Sequence, residues 1–246
     1  MPKDDLWSRI QRAASAGPDM RKPQYPGGYE PPAKGVAYAR LIGYFEMGTH
    51  EEEYEGKRRD RAKVDLVFEL SGPNHELRQL EDGTLVPIRV TVQETLSLDP
   101  YKSFFKLFAA MNYADKATHM AQLVGEAFLV EVFHKRSRDG SKVYANLKGP
   151  NGYNVTGPTV RDEITDKTMT IQVAPAITQC KAFLWDMNDR EVWDSIYIAG
   201  EYAERRDEQT GEIIAPVRSK NVIQERIMRA KNWPELAARL GVSQAS

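Results

Sequence analysis

Soft metal ligands are scarce in this chain of 246 residues, which carries a single cysteine, Cys180, and four scattered histidines, His50, His75, His119 and His134. One thiol excludes an internal disulfide and any multi-cysteine zinc centre, and histidines so dispersed offer no metal-binding spacing. No stretch approaches the roughly 18 consecutive apolar residues of a membrane span. The opening MPKDDLWSRIQRAAS is too polar for the apolar segment of a secretory signal, so a cytoplasmic protein without membrane attachment is expected. Catalytic signatures are missing too: there is no glycine-rich phosphate loop, no G-x-S-x-G elbow and no H-E-x-x-H helix. Asp65 and Glu69 share one strand face without the downstream lysine that a metal nuclease wants, and read as a solvated face. His134 has no nucleophile to serve. No catalytic residue, metal or cofactor is expected, and a non-enzymatic protein follows.

A dominant charge sign is also lacking. The formal net charge is -1, whereas proteins that rely on nonspecific phosphate contact are usually positive. The charges are nevertheless segregated: residues 57–63 and 135–148 are basic, while 51–55 and 186–208 are acidic.

Composition along the chain divides it. Residues 1–34 hold one candidate short helix (5–14) and then a proline- and glycine-rich run that denies both helix and paired strand, giving an extended arm. Residues 36–47 alternate as a strand, with Tyr38, Arg40, Ile42 and Tyr44 on one side and Ala39, Leu41, Gly43 and Phe45 on the other; Gly43 marks a bulge or sharp coil. KVDLVFEL and LVPIRVTVQ repeat the alternation. In SLDPYKSFFKLFAAMNYA, Asp99 is the expected N-cap and Pro100 the first helical residue, ahead of Phe104, Leu107, Phe108 and Met111 at helical spacing. Two more strands, AFLVEVFHK and KVYANLKG, flank an Asp-Gly turn. Three strands, a helix and a two-stranded hairpin is the order of the OB-fold, a five-stranded Greek-key barrel. The expected fold is thus mostly β with a few helices: an OB barrel over 35–150 between an N-terminal arm and a mixed C-terminal extension. That extension comprises a strand-containing part packed on the barrel (151–200), with FLWDMNDREVWDSIYIAG as two short strands, and a charged loop with terminal helices (201–246).

The chemistry that remains is a mixture of rings and cations. The first strand supplies Tyr38, Arg40 and Tyr44. Its hairpin adds Tyr54, Lys57, Arg58, Arg59, Arg61 and Lys63, and the third strand adds Arg89. The last hairpin contributes His134, Lys135, Arg136, Arg138, Lys142, Tyr144 and Lys148, and the loop beyond it Tyr153. Single-stranded nucleic acid asks for this combination, because cations follow phosphates while rings stack on bases regardless of sequence. The plainer alternative makes the tyrosines rim residues of a barrel and the cations guards of edge strands.

GYFEMGT with YEGK ahead of KVDLVFEL, TLSL…K opening the helix, and YANLKG closing the barrel carry a family likeness. In these motifs residues 35–150 resemble the single-stranded DNA-binding proteins of tailed bacteriophages. The resemblance implies an OB-fold that coats single-stranded DNA during phage replication or recombination in the host cytoplasm, without catalysis or cofactor. Its partners would be that DNA and phage replication or recombination proteins, with self-association left open. Tyr54, Lys57, Arg58, Arg59, Lys135, Tyr144 and Lys148 fall at the carried-over positions. One departure stands out: many replicative single-strand binders end in an acidic recruitment tail, and this chain ends LAARLGVSQAS, leaving the internal acidic segment 186–208 as the alternative. A protein-interaction module built on the charged hairpin is the runner-up, and a metal-dependent nuclease a distant third. The acidic limb, Glu51 to Glu55, is left with two roles, holding the basic limb until nucleic acid displaces it or serving as solubilising charge.

Overall fold

Alternation beginning at residue 35 produces the longest element, β1 (Gly35–Tyr54), which turns through Glu55 and Gly56 into β2 (Lys57–Ser71). Both turn residues have positive φ, 52° and 71°, the conformation of a two-residue hairpin turn whose twist matches its strands. The computed structural model describes residue 11 and residues 30–80, 83–138, 140, 142–162, 164–206 and 210–242. Most of the expected arm, including nearly all of the short helix at 5–14, lies outside the described residues. Residues 30–34 lie against the body, with Pro31 and Pro32 buried and the carbonyls of Pro32 and Ala33 in contact with Nε2 of His134 (2.7 Å) and His75 (3.1 Å).

β3 (Ile88–Thr95) pairs antiparallel with β2, and α1 (Ser103–Met111) follows. The helix begins a turn later than the sequence pattern indicated: Asp99 does not cap it but accepts from Tyr101 N at 2.9 Å, holding the turn ahead of it. β4 (Ala127–Arg136) returns beside β1, and β5 (Val143–Asn146) folds back on β4. The chain beyond residue 150 enters the same sheet twice, as β6 (Val155–Thr156) against β4 and β7 (Lys181–Phe183) parallel to β1. The protein is mostly β, with a large antiparallel sheet ordered β6-β4-β1-β2-β3. No hydrogen-bonded ladder joins β3 to β5 among the described residues. Side chains span that edge instead: the Lys148 Nζ and the Tyr153 hydroxyl both donate to Glu94 Oε1 at 2.7 Å.

Two register shifts shape β1. Ile42 and Met47 are extra residues with no counterpart on β2, one between the pairs Leu41–Phe68 and Gly43–Val67, the other between Glu46–Val64 and Gly48–Lys63. Each bulge exchanges the faces of the residues that follow it. Ala37, Ala39, Leu41 and Tyr44 therefore enter one core with Leu66, Phe68, Val90, Leu107 and Phe128. Phe45 and Met47 enter a second core with Phe183, Trp193, Ile227, Trp233 and Leu240. The expected bulge at Gly43 is present, and its consequence corrects the facing of Tyr44, which is fully buried rather than on the outward side with Tyr38. A side chain at Gly43 would put its Cβ 2.5 Å from the Phe45 ring, and at Gly48, where φ is +77°, 2.5 Å from the Trp185 ring. Both positions need glycine because the second core presses on the strand there.

That second core belongs to α2 (Arg190–Ser195), α3 (Val222–Met228) and α4 (Trp233–Leu240). The segment read as two short strands around an Asn-Asp turn is instead β7 followed by α2: Asp189 caps the helix by accepting from Val192 N at 2.9 Å, and Trp193 turns inward. Polar staples fasten this layer to the sheet. Arg226 NH1 donates to both oxygens of Asp65 at 2.6 Å, and Glu69 accepts from the amides of Ile177 (2.7 Å) and Thr178 (2.9 Å). Asp65 and Glu69 are only 6% and 5% exposed, so the face read as solvated is covered by the C-terminal layer. Two ribbons project from it: Thr159–Arg161 pairs with Thr168–Thr170, and the strands between Glu201 and Ser219 form the other. No helix among the described residues is long and apolar enough to cross a membrane.

Candidate nucleic-acid interface

Three grooves lie end to end along the β1–β2 hairpin, the β3 edge and the β4–β5 flank. The first, about 390 Å³, is lined by Lys57, Arg59, Arg61 and Lys102 together with Glu52, Glu55 and Glu94. The second, about 420 Å³, shares Glu52, Glu94 and Thr95 with the first and adds Lys63, Lys148 and Tyr153. The third, about 690 Å³, shares Asn146 and Lys148 with the second and adds Lys34, His134 and Lys135. Eight cations face four carboxylates along the whole track, the fourth acid being Glu131. A chain of net charge -1 thus concentrates positive charge in three adjoining grooves, and such a surface attracts polyanions whatever the total charge.

The track is not uniform. Among the described residues Lys34, Lys57, Arg59, Arg61, Lys102 and Lys135 make no ion pair, so both ends present free cations. The middle is occupied by internal partners: Lys63 pairs with Glu52 and donates to Thr95 Oγ1 at 3.0 Å, and Lys148 pairs with Glu94. Lys148 also sits over the Tyr153 ring, 5.5 Å from its centroid. Burial, reinforced by the Glu94 carboxylate, holds the Tyr153 phenol far above its ordinary range, so it stays a neutral donor.

Of the residues expected from the sequence, Lys57, Arg59, Arg61, Lys63, Lys135, Lys148 and Tyr153 come together on the track. Arg58 is exposed but turned to Glu51 (3.4 Å) and Glu53 (3.6 Å). Arg136, Lys142 and the 46% exposed Tyr144 stand at the β4–β5 hairpin, where Tyr144 is the cross-strand neighbour of Lys135. Four others lie elsewhere. Tyr44 is core, its hydroxyl donating to Glu46 Oε1 at 3.0 Å, and burial raises its pKa well above the usual phenol range. Arg40 donates to the carbonyls of Ala174 (2.6 Å), Gly125 (2.8 Å) and Val173 (2.8 Å), tying the C-terminal layer to β1. Tyr38 is half-buried against Gly72. Arg89 is exposed opposite Glu69 on β3, about 20 Å along the strand from Thr95 at the usual rise. The side chain of Tyr54 lies outside the described residues.

Two track cations were missed from sequence. Lys34 reaches the third groove because residues 30–34 dock on the body, which a proline-rich run does not announce. Lys102 carried a signal: it is the lysine of TLSL…K, quoted for its family likeness yet counted only as helix punctuation. Beside it in the chain Tyr101 is 84% exposed, as Tyr144 is exposed beside Lys135, and neither ring lines the three grooves. No group of three or more His, Cys, Asp or Glu side chains among the described residues could hold a metal ion.

No protein-family model, curated protein or solved structure matches the chain.

Proposed function

We propose that this protein binds single-stranded DNA in a sequence-tolerant way, without catalysis, along the three-groove track. The observation that carries this reading is the concentration of eight cations against four carboxylates in three adjoining grooves of a chain with net charge -1. Cations so arranged follow a phosphate backbone, and exposed rings beside Lys102 and Lys135, Tyr101 and Tyr144, offer stacking worth on the order of 1–3 kcal/mol per base. The sheet is best read as an OB barrel left without a β3–β5 ladder. Its strand and helix order agrees with that fold, and its β1–β2 and β4–β5 hairpins flank the track as the binding loops of OB-folds do. The phage-protein resemblance of residues 35–150 supplies the setting, coating of single-stranded DNA during replication or recombination.

Fluorescence anisotropy with labelled oligo-dT tests this directly. Micromolar or tighter binding that weakens as salt rises is expected. Absence of binding at micromolar protein and low salt overturns it.

A further inference from the structure

The two ion pairs at the middle of the track separate its free ends. Glu52 holds Lys63, and Glu94 holds Lys148 while also accepting from Tyr153. Both carboxylates line the track themselves, Glu52 and Glu94 each bordering the first and second grooves. Of the other acids of the limb, Glu55 borders the first groove, whereas Glu51 and Glu53 turn to Arg58 and, for Glu51, to Lys231 at 3.1 Å, and neither lines any of the three grooves. The acidic limb is therefore split. Glu52 and Glu55 border the track, while Glu51 and Glu53 brace the hairpin, Glu51 by way of the α3–α4 connection.

Resting on the single-strand reading above, we propose that Glu52 and Glu94 are specificity-determining residues that keep short polyanions out of the middle of the track and hold down its affinity for strands long enough to run its full length. A phosphate chain reaching only one end meets free cations and displaces nothing. A chain that runs the full track must take Lys63 and Lys148 from their carboxylates. It does so only when contacts at both ends hold it in place, because the tethered middle phosphates then act at high effective concentration. Each internal pair is a partly exposed ion pair of modest strength, so the barrier is one that several phosphates together overcome and a mononucleotide does not. When Lys63 and Lys148 move to phosphates, each leaves a carboxylate that takes up a cation in turn and offsets the counterion released from the strand. This lowers the salt dependence that the cation count would otherwise impose.

The test compares wild type with Glu52→Gln/Glu94→Gln, using oligo-dT of about 4 and about 16 nucleotides, the range of site sizes for one barrel. Glutamine keeps shape and can still accept from Tyr153, and equal melting temperatures verify folding. The double variant is expected to bind the long oligonucleotide roughly three- to tenfold tighter, with a salt slope steeper by about 0.7 per freed lysine. The short one, seated at an end, changes less than twofold. Glu51→Gln/Glu53→Gln removes the same charge off the track and is expected to leave the length dependence unchanged; an equal gain from it reduces the effect to general charge and overturns the proposal. In a Lys148→Met background, Glu94→Gln is expected to confer no gain. Unchanged or weaker binding of the long strand by the Glu52, Glu94 double variant also overturns it. Wild-type protein that binds neither oligonucleotide removes the single-strand reading itself, a result distinguishable from the others.

Discussion

The two cores on either side of β1 make instructive neighbours. The first is assembled from strand residues that alternate in sequence, Val64, Leu66, Phe68 and Leu70 against Ile88, Val90 and Val92, and closed by Phe104, Leu107 and Met111 of α1. The second joins two residues of β1, Phe45 and Met47, to side chains from position 183 onward. All but one of the cations of the track, Lys34 excepted, belong to segments that build the first core, and none to the helices of the second. The large antiparallel sheet presents the charged surface, while a helical layer buries the back of the sheet and anchors the root of the hairpin, through Asn232 Oδ1 accepting from Thr49 N at 2.8 Å and Lys231 bridging Glu51 and Asp60.

This division of labour can be broken from either side. Phe183→Ala empties a fully buried position of the second core and should cost about 3–5 kcal/mol of unfolding free energy, read by denaturant titration, while the folded fraction keeps its DNA affinity. Lys57→Glu/Arg59→Glu/Arg61→Glu should do the reverse, weakening oligo-dT binding roughly a hundredfold at low salt with the melting temperature little changed. The same reversal at Arg205 and Arg206 should stay within about twofold. A triple variant that melts early, or a Phe183 variant whose folded fraction binds poorly, would join the two regions into one functional unit.

Gly48→Ala probes the seam. With φ at +77° and Trp185 and Ala230 at 2.5 and 2.6 Å from the added Cβ, it should destabilise by about 2 kcal/mol and shift the hairpin by way of the helical layer. A moderate loss of DNA affinity is then expected in anisotropy at a temperature where the variant is folded. The smallest effect concerns Asp65. Burial outweighs the Arg226 guanidinium and holds this carboxyl above its ordinary range. A carboxyl whose folded pKa is raised contributes stability below its unfolded pKa, near 3.8, and loses it as the pH rises through the folded value. The margin of wild type over Asp65→Asn should accordingly shrink as the pH rises from about 3, and a margin that widens across that window would show the ion pair to outweigh burial.

Much of the first core was legible. The β1–β2 hairpin turn, the alternation of β2 and β3, the apolar face of α1 and the β4–β5 hairpin each follow from residues within one turn or two strand positions of each other. The basic limb at 57–63 was legible as well, because segregated charge needs no tertiary context to be seen. Tyr44 was misplaced for a definite reason. The alternation across residues 36–47 is regular by inspection, yet Ile42 is skipped in the pairing with β2, and one skipped residue moves every later side chain to the other face. Asp65 and Glu69 were misread because their cover arrives from far along the chain, Arg226 being 161 residues from Asp65.

Local periodicity, turn chemistry and charge segregation are properties of near neighbours, and in this protein the sequence by itself determined them: a mostly β chain and a long hairpin whose limbs are acidic and basic. Which cations remain free is a different kind of property. Lys148 meets Glu94 across 54 residues, and Lys34 comes to the third groove by the docking of a proline-rich run. Only the tertiary structure decided these, because an ion pair depends on distance in space and not on separation along the chain.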